Sequence, residues 1–229
     1  MDRYVFDRSS YKSTVFKWNG DTANDYYIHA PEYDSVFPSI ANFGLMIDFD
    51  NDGDKDLFAY AIGGIKVYEN LAVPSGNLEF KLINEQIKYN TGSNDINIYV
   101  TSVDIPGFGD IDFDGDLDIL TFDILGGFVD YYKNTSMENY GHADSLEYIK
   151  SSDCWGLFVE PGLSNILVLD YCNANQKISK PFFGGGYRHA GSTMLVFNPD
   201  RDSDMDILLG DLSFNNLVFG ENIPMGNID

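Results

Sequence analysis

Short apolar runs recur along the chain, each cut off by glycine, asparagine or aspartate: Leu57-Phe58-Ala59-Tyr60, Ile119-Leu120-Thr121-Phe122 and Ile207-Leu208-Leu209. After a turn, each is followed by a second run, and in Ile65-Lys66-Val67-Tyr68 and Phe128-Val129-Asp130-Tyr131-Tyr132 apolar and polar positions alternate. Runs of this length, bounded by turn formers, predict β-strands. No stretch carries the 3.6-residue periodicity of an amphipathic helix over a useful length. The chain is therefore expected to be all-β, with its aromatic residues, 15% of the sequence, packed between sheets.

An acidic loop of nine residues precedes each of the three continuous runs. The first is Asp48-Phe49-Asp50-Asn51-Asp52-Gly53-Asp54-Lys55-Asp56 and the second Asp110-Ile111-Asp112-Phe113-Asp114-Gly115-Asp116-Leu117-Asp118. The third, Asn198-Pro199-Asp200-Arg201-Asp202-Ser203-Asp204-Met205-Asp206, keeps the spacing with an asparagine at position 1 and a serine at position 6. Like charges at this density repel one another, and a divalent ion reverses the balance. Glycine at position 6 permits a sharp turn, so that carboxylates 1, 3, 5 and 9 and the carbonyl of position 7 can converge. An all-oxygen set of this size suits calcium better than magnesium, which keeps its waters, and far better than zinc, which prefers nitrogen and sulfur.

An EF-hand begins the same way but needs a bidentate glutamate at position 12 and flanking helices. Position 12 is Ala59, Thr121 or Leu209, and the flanks read as strands, so the EF-hand is excluded.

The loops punctuate a longer repeat. From the position-9 aspartate to a recurring asparagine there are 14 residues (Asp56 to Asn70), then 16 (Asp118 to Asn134) and 16 (Asp206 to Asn222). Asp2 followed by Asn19, an interval of 17, resembles the end of a fourth loop. An aspartate five residues beyond position 9 recurs as Asp7, Asp123 and Asp211, with Ala61 the exception. Loop starts lie 62 and then 88 residues apart, which places an insertion near residues 137–186. Units of roughly 60 residues built from short strands suit four-stranded propeller blades rather than helical solenoids or βαβ units.

With these residues in view, the pattern D-x-D-x-D-G-x-x-D followed by an apolar strand resembles the calcium loop of FG-GAP/VCBS repeats. That family includes the integrin α-subunit propeller and many secreted bacterial proteins. The resemblance implies a β-propeller in which each loop joins adjacent strands of a blade. Carried over, the ligands are Asp48, Asp50, Asp52, Asp54 (by carbonyl) and Asp56, then Asp110, Asp112, Asp114, Asp116 (by carbonyl) and Asp118. Asn198, Asp200, Asp202, Asp204 and Asp206 form a weaker third set. The expected units are residues 1–44 as the tail of a blade, 45–107 and 108–195 as blades, and 196–229 as a partial blade. Three to three and a half blades fall short of the four to eight that close a propeller, so the chain is expected to be part of a longer polypeptide whose other blades complete it.

A formal charge of −22, from 36 acidic and 14 basic side chains, excludes nucleic acid and anionic lipid as partners. Extracellular calcium would fill even weak sites, which with the resemblance leads to a secreted or cell-surface setting. There Cys154 and Cys172 are expected either as a disulfide or as two buried thiols. His29, His142 and His189 stand in no motif for catalysis, and Ser192 lacks a nucleophile elbow, so the expected role is non-catalytic: adhesion, glycan or protein binding, or display. The alternative is the scaffold of a calcium-dependent carbohydrate-active enzyme.

Overall fold

A computed structural model describes residues 2–21, 26–124, 127–161, 164, 166–172 and 192–223. The described chain is all-β, with several antiparallel sheets and only short helical turns. It divides into two compact units, residues 1–87 and 88–229.

In the first unit, β1 (Arg3–Asp7), β2 (Lys12–Trp18) and β3 (Tyr27–His29) form an antiparallel meander. A second meander of four strands contains β4 (Gly44–Ile47), β5 (Asp56–Ala61), β6 (Gly64–Asn70) and β7 (Phe80–Asn84), with a helical turn, α1 (Ala72–Ser75), between the last two. The run Leu57-Phe58-Ala59 is fully buried because β5 lies inside its sheet and is covered on its faces. Ile40, Leu57 and Ala59 form one core cluster of the unit, packed by Tyr4, Phe6, Phe37, Met46, Tyr68 and Phe80.

The second unit contains a six-stranded sheet. Its middle is the meander β10 (Gly107–Gly109), β11 (Asp118–Phe122), β12 (Val129–Asn134) and β13 (Tyr148–Ser152). Beyond β13 the sheet is extended by the hairpin β8 (Lys88–Asn90) and β9 (Asp95–Asn97), which precedes the meander in sequence. The β13–β8 pairing is parallel, with Tyr148 opposite Tyr89. A helical turn, α2 (Ser136–Tyr140), joins β12 to β13. The hairpin β14 (Phe158–Val159) and β15 (Val168–Leu169) falls within the predicted insertion. Three strands, β16 (Ser192–Phe197), β17 (Asp206–Asp211) and β18 (Leu217–Gly220), complete the unit.

The core of this unit lies where Leu120 and Phe122 of β11 and Val129 and Tyr131 of β12 meet Met194, Val196, Ile207 and Leu209 of β16 and β17. The approach is close enough that a Cβ on Gly107 would stand 2.7 Å from a methyl of Val196, so β10 requires glycine there. The aspartates five residues past position 9 close turns: the N–H of Ser9 reaches Asp7, that of Phe128 reaches Asp123 and that of Ser213 reaches Asp211. Ala61 is the exception because its turn has only two residues, Ala61 standing opposite Gly64, and Gly63 makes that turn at a φ of 72°.

Cys154 and Cys172 are joined by a disulfide, 18 residues apart, with Cα atoms 5.6 Å apart. A loop of this length stabilises the folded state by about 3 kcal/mol in the chain-entropy account. Reduction, or the pair Cys154→Ser and Cys172→Ser, is expected to lower the unfolding free energy of the second unit by about that amount. Urea denaturation with and without reductant measures it.

Candidate metal centre

Each acidic loop joins the first and second strands of its sheet: β4 to β5, β10 to β11 and β16 to β17. Position 9 is in every case the first residue of the second strand, and Asp56, Asp118 and Asp206 are 1%, 0% and 3% exposed. One carboxylate oxygen of each accepts the backbone N–H of the repeat asparagine: Asn70 to Asp56 at 2.9 Å, Asn134 to Asp118 at 2.8 Å and Asn222 to Asp206 at 2.8 Å. The other oxygen accepts the N–H of loop position 2, from Phe49 at 3.2 Å and Ile111 at 2.9 Å. Position 9 is thus a clasp between the start of the loop and the end of the third strand. In the third loop position 2 is Pro199, which has no N–H to give.

The same bond identifies the partial repeat at the N-terminus. Asp2 accepts the N–H of Trp18 at 3.0 Å, a separation of 16, so the register is set by Trp18 and not by Asn19. A backbone donor carries no side-chain identity, which is why an interval measured to the asparagine falls one residue off. In two of the other repeats the asparagine side chain steers the chain out of the strand, and Asn19 likewise accepts the N–H of Asp21 two residues on. Asn70 donates from Nδ2 to the Lys55 carbonyl and accepts the Ala72 N–H, and Asn134 bonds the Ser145 carbonyl and the Ser136 N–H in the same way.

The structure brings positions 1, 3 and 9 together in two loops. Oxygens of Asp48, Asp50 and Asp56 lie within 4.8 Å of one another, as do those of Asp110, Asp112 and Asp118. At position 1, Oδ1 of Asp48, Asp110 and Asn198 is sealed from solvent and has no hydrogen-bond partner among the described residues. The same holds for Oδ1 of Asp54, Asp116 and Asp204 at position 7. A buried acceptor without a partner costs about 1–3 kcal/mol, more when charged. The same two positions carry such atoms in all three loops, and at position 1 of the first two the carboxylate belongs to a converging group that could hold a cation.

Other oxygens shape the loop. Asp50 and Asp52 accept the N–H groups of Asp52 and Asp54, Asp114 that of Asp116, and Asp200 and Asp202 those of Asp202 and Asp204. At position 7, Oδ2 of Asp54 accepts the Val73 N–H and Oδ2 of Asp116 the Met137 N–H, both at 2.9 Å, which ties each loop to the helical turn after the third strand. Position 6 is left-handed at Gly53 and Gly115, with φ of 98° and 102°, whereas Ser203 is not. Position 4 is left-handed in all three loops, at Asn51, Phe113 and Arg201, with φ of 62°, 62° and 64°. Asparagine signals that conformation in a sequence, but phenylalanine and arginine do not.

The second loop carries a cation of its own. Lys133, the residue before the repeat asparagine, places Nζ against Asp112, against Asp114 at 3.3 Å and against Glu138 of α2. Tyr131 of the core donates its hydroxyl to Asp118 at 3.1 Å. Neither contact carries a periodic signal; Lys133 reads as one polar position of an alternating strand.

Burial pushes the carboxyls of Asp56 and Asp118 up to about 7 and that of Asp116 to about 6. Backbone donors pull the other way, and neighbouring loop carboxylates add to the rise. Asp50, Asp54, Asp110 and Asp204 are raised for the same first reason.

Elsewhere, His29 pairs with Asp34 at 3.0 Å and His142 with Asp144, and His189 lies outside the described residues. Ser192 is buried, donating its hydroxyl to Glu160 at 2.9 Å and its N–H to Asp104 at 3.0 Å, with no histidine bonded to it among the described residues. A cavity of about 460 Å³ in the second unit is lined by residues that include Tyr89, Phe128, Tyr132, Asp123, Asp130 and Lys150. Comparison of the chain with family models, with curated proteins and with solved structures finds no match.

Asp118→Ala is expected to cost about 3 kcal/mol or more even in chelator, because it leaves one buried and one part-buried N–H donor and a buried tyrosine hydroxyl without their acceptor. Asp110→Asn in the same buffer is expected not to destabilise the chain, since it removes a charge from a sealed oxygen with no partner while the amide oxygen can still accept the Gly115 N–H. Denaturant midpoints in EDTA separate the two. Between the ordinary carboxylate value and about 7, the metal-free native state holds more protons than the unfolded chain. Its stability therefore falls as pH rises through that window. Thermal melts in chelator should show a lower midpoint at pH 8 than at pH 5.5, and calcium, which needs the ionised carboxylates, should reverse the slope.

Proposed function

We propose that the chain is a non-catalytic, calcium-binding repeat module of the FG-GAP/VCBS type, part of a β-propeller in a secreted or cell-surface protein. Its calcium is structural, and its role is adhesion, glycan or protein binding, or display. The observation that carries this reading is the sealed, unpartnered Oδ1 at position 1 of all three loops. Each loop sits between the first two strands of a meander, and β4–β7 and the β10–β13 portion of the larger sheet have the four antiparallel strands of a blade. An all-oxygen donor set favours calcium. The disulfide supports an oxidising compartment. No helix among the described residues is long and apolar enough to cross a membrane.

Two sites are assigned to the loops Asp48–Asp56 and Asp110–Asp118. The third, Asn198–Asp206, is weaker: it lacks the carboxylate at position 1, the glycine at position 6 and the N–H at position 2. The aromatic and acidic lining of the cavity favours a second reading, the scaffold of a calcium-dependent carbohydrate-active enzyme. Burial raises the Asp130 carboxyl, but one oxygen stands 2.8 Å from Lys150 Nζ and the other accepts the Tyr132 hydroxyl, which suits a held side chain better than an acid or base.

Calcium at a hundred times its dissociation constant adds about 2.7 kcal/mol per ion, or about 5–10 °C in midpoint for a chain of this size. Calorimetric titration should resolve two tighter events and one weaker, and Asp48→Asn or Asp110→Asn should each shift one of the tighter pair to weaker binding. A midpoint indifferent to EDTA would remove the reading. Release of reducing ends from polysaccharides, measured with and without calcium, decides the second: calcium-dependent turnover favours the enzyme scaffold.

A further inference from the structure

The two glycine-containing loops differ in one respect that their own nine residues do not show. Around the first, no lysine or arginine pairs with a loop carboxylate among the described residues, and the residue before its repeat asparagine is Glu69, which faces Lys81 at 3.9 Å. At the second, that place belongs to Lys133, whose Nζ lies on Asp112 and Asp114, positions 3 and 5, and on Glu138. Oxygens of Asp112, Asp114 and Glu138 lie within 4.8 Å of one another, a three-carboxylate group for which the first loop has no counterpart among the described residues. The third loop again has an acid at this place, Glu221.

We propose that Lys133 is a tethered cation of the second loop: it holds Asp112 and Asp114 together in the metal-free protein and competes with calcium for them. This rests on the calcium reading of the loops. Its consequence is an order of filling in which the loop Asp48–Asp56 takes calcium first and the loop Asp110–Asp118 follows at higher concentration. Glu138 shares the ammonium with the two loop carboxylates and so weakens its hold on them. The helical turn that carries Glu138 is tied to the same loop, since the N–H of Met137 bonds Asp116.

The test uses the full chain carrying Asp48→Asn with Asp50→Asn and Asp200→Asn with Asp202→Asn, so that calorimetry reads the second loop. Adding Lys133→Gln should tighten calcium binding about tenfold, the weight of one unit charge close to a partly buried ion. Adding Glu138→Gln instead should weaken it about threefold, because the ammonium then rests wholly on Asp112 and Asp114. In EDTA, Lys133→Gln should lower the thermal midpoint of the otherwise unmodified chain, and saturating calcium should abolish that deficit. Equal affinities with and without Lys133, or a loss of affinity in Lys133→Gln, would overturn the proposal, and so would a midpoint deficit that persists in saturating calcium. Absence of any calcium heat in the unmodified chain is a different result: it removes the calcium reading itself and the proposal with it.

Discussion

A carboxylate buried at the head of the second strand is the constraint on which each repeat depends. Asp56 and Asp118 each accept two backbone N–H groups, one from the loop that precedes them and one from the end of the third strand. Strands adjacent in a meander are held by their ladders, but the loop and the far strand have no ladder in common. The position-9 side chain supplies that connection. Pro199 shows the reduced form, in which Asp206 keeps only the distal bond among the described residues.

This architecture creates an electrostatic debt. A carboxylate out of water, next to four or five others, is disfavoured in its charged form, and the raised values at Asp56, Asp116 and Asp118 express that cost. Protons can meet it in acid, a divalent ion can meet it at neutral pH, and at the second loop the ammonium of Lys133 meets part of it. Acidic loops and buried clasps are therefore one design: the geometry that orders the strands assembles a site of excess negative charge.

Much of this was legible in the chain. Every continuous apolar run became the buried second strand of a sheet, because such runs can be satisfied only inside one. The nine-residue spacing located the loops, and the recurring Asn70 and Asn134 marked the ends of third strands. What escaped notice was carried by groups without sequence identity or period. Backbone donors let Trp18 stand where an asparagine was expected. Left-handed turns at Phe113 and Arg201 are imposed by the loop rather than preferred by those residues. The addition of β8 and β9 beyond β13 depends on a pairing between segments about 60 residues apart, for which strand patterning has no signal.

That last pairing bears on how the second unit assembles in time. The hairpin β8–β9 precedes every strand of the meander it extends, so a chain emerging from the ribosome makes it before Tyr148 and Ile149 exist to receive it. Until then its free edge is an open template for other strands, and closing it requires an ordering step of high contact order. Nascent chains of this protein would pass through a window of exposure whose length is set by the distance from β8 to β13, and β13 is the strand that ends it.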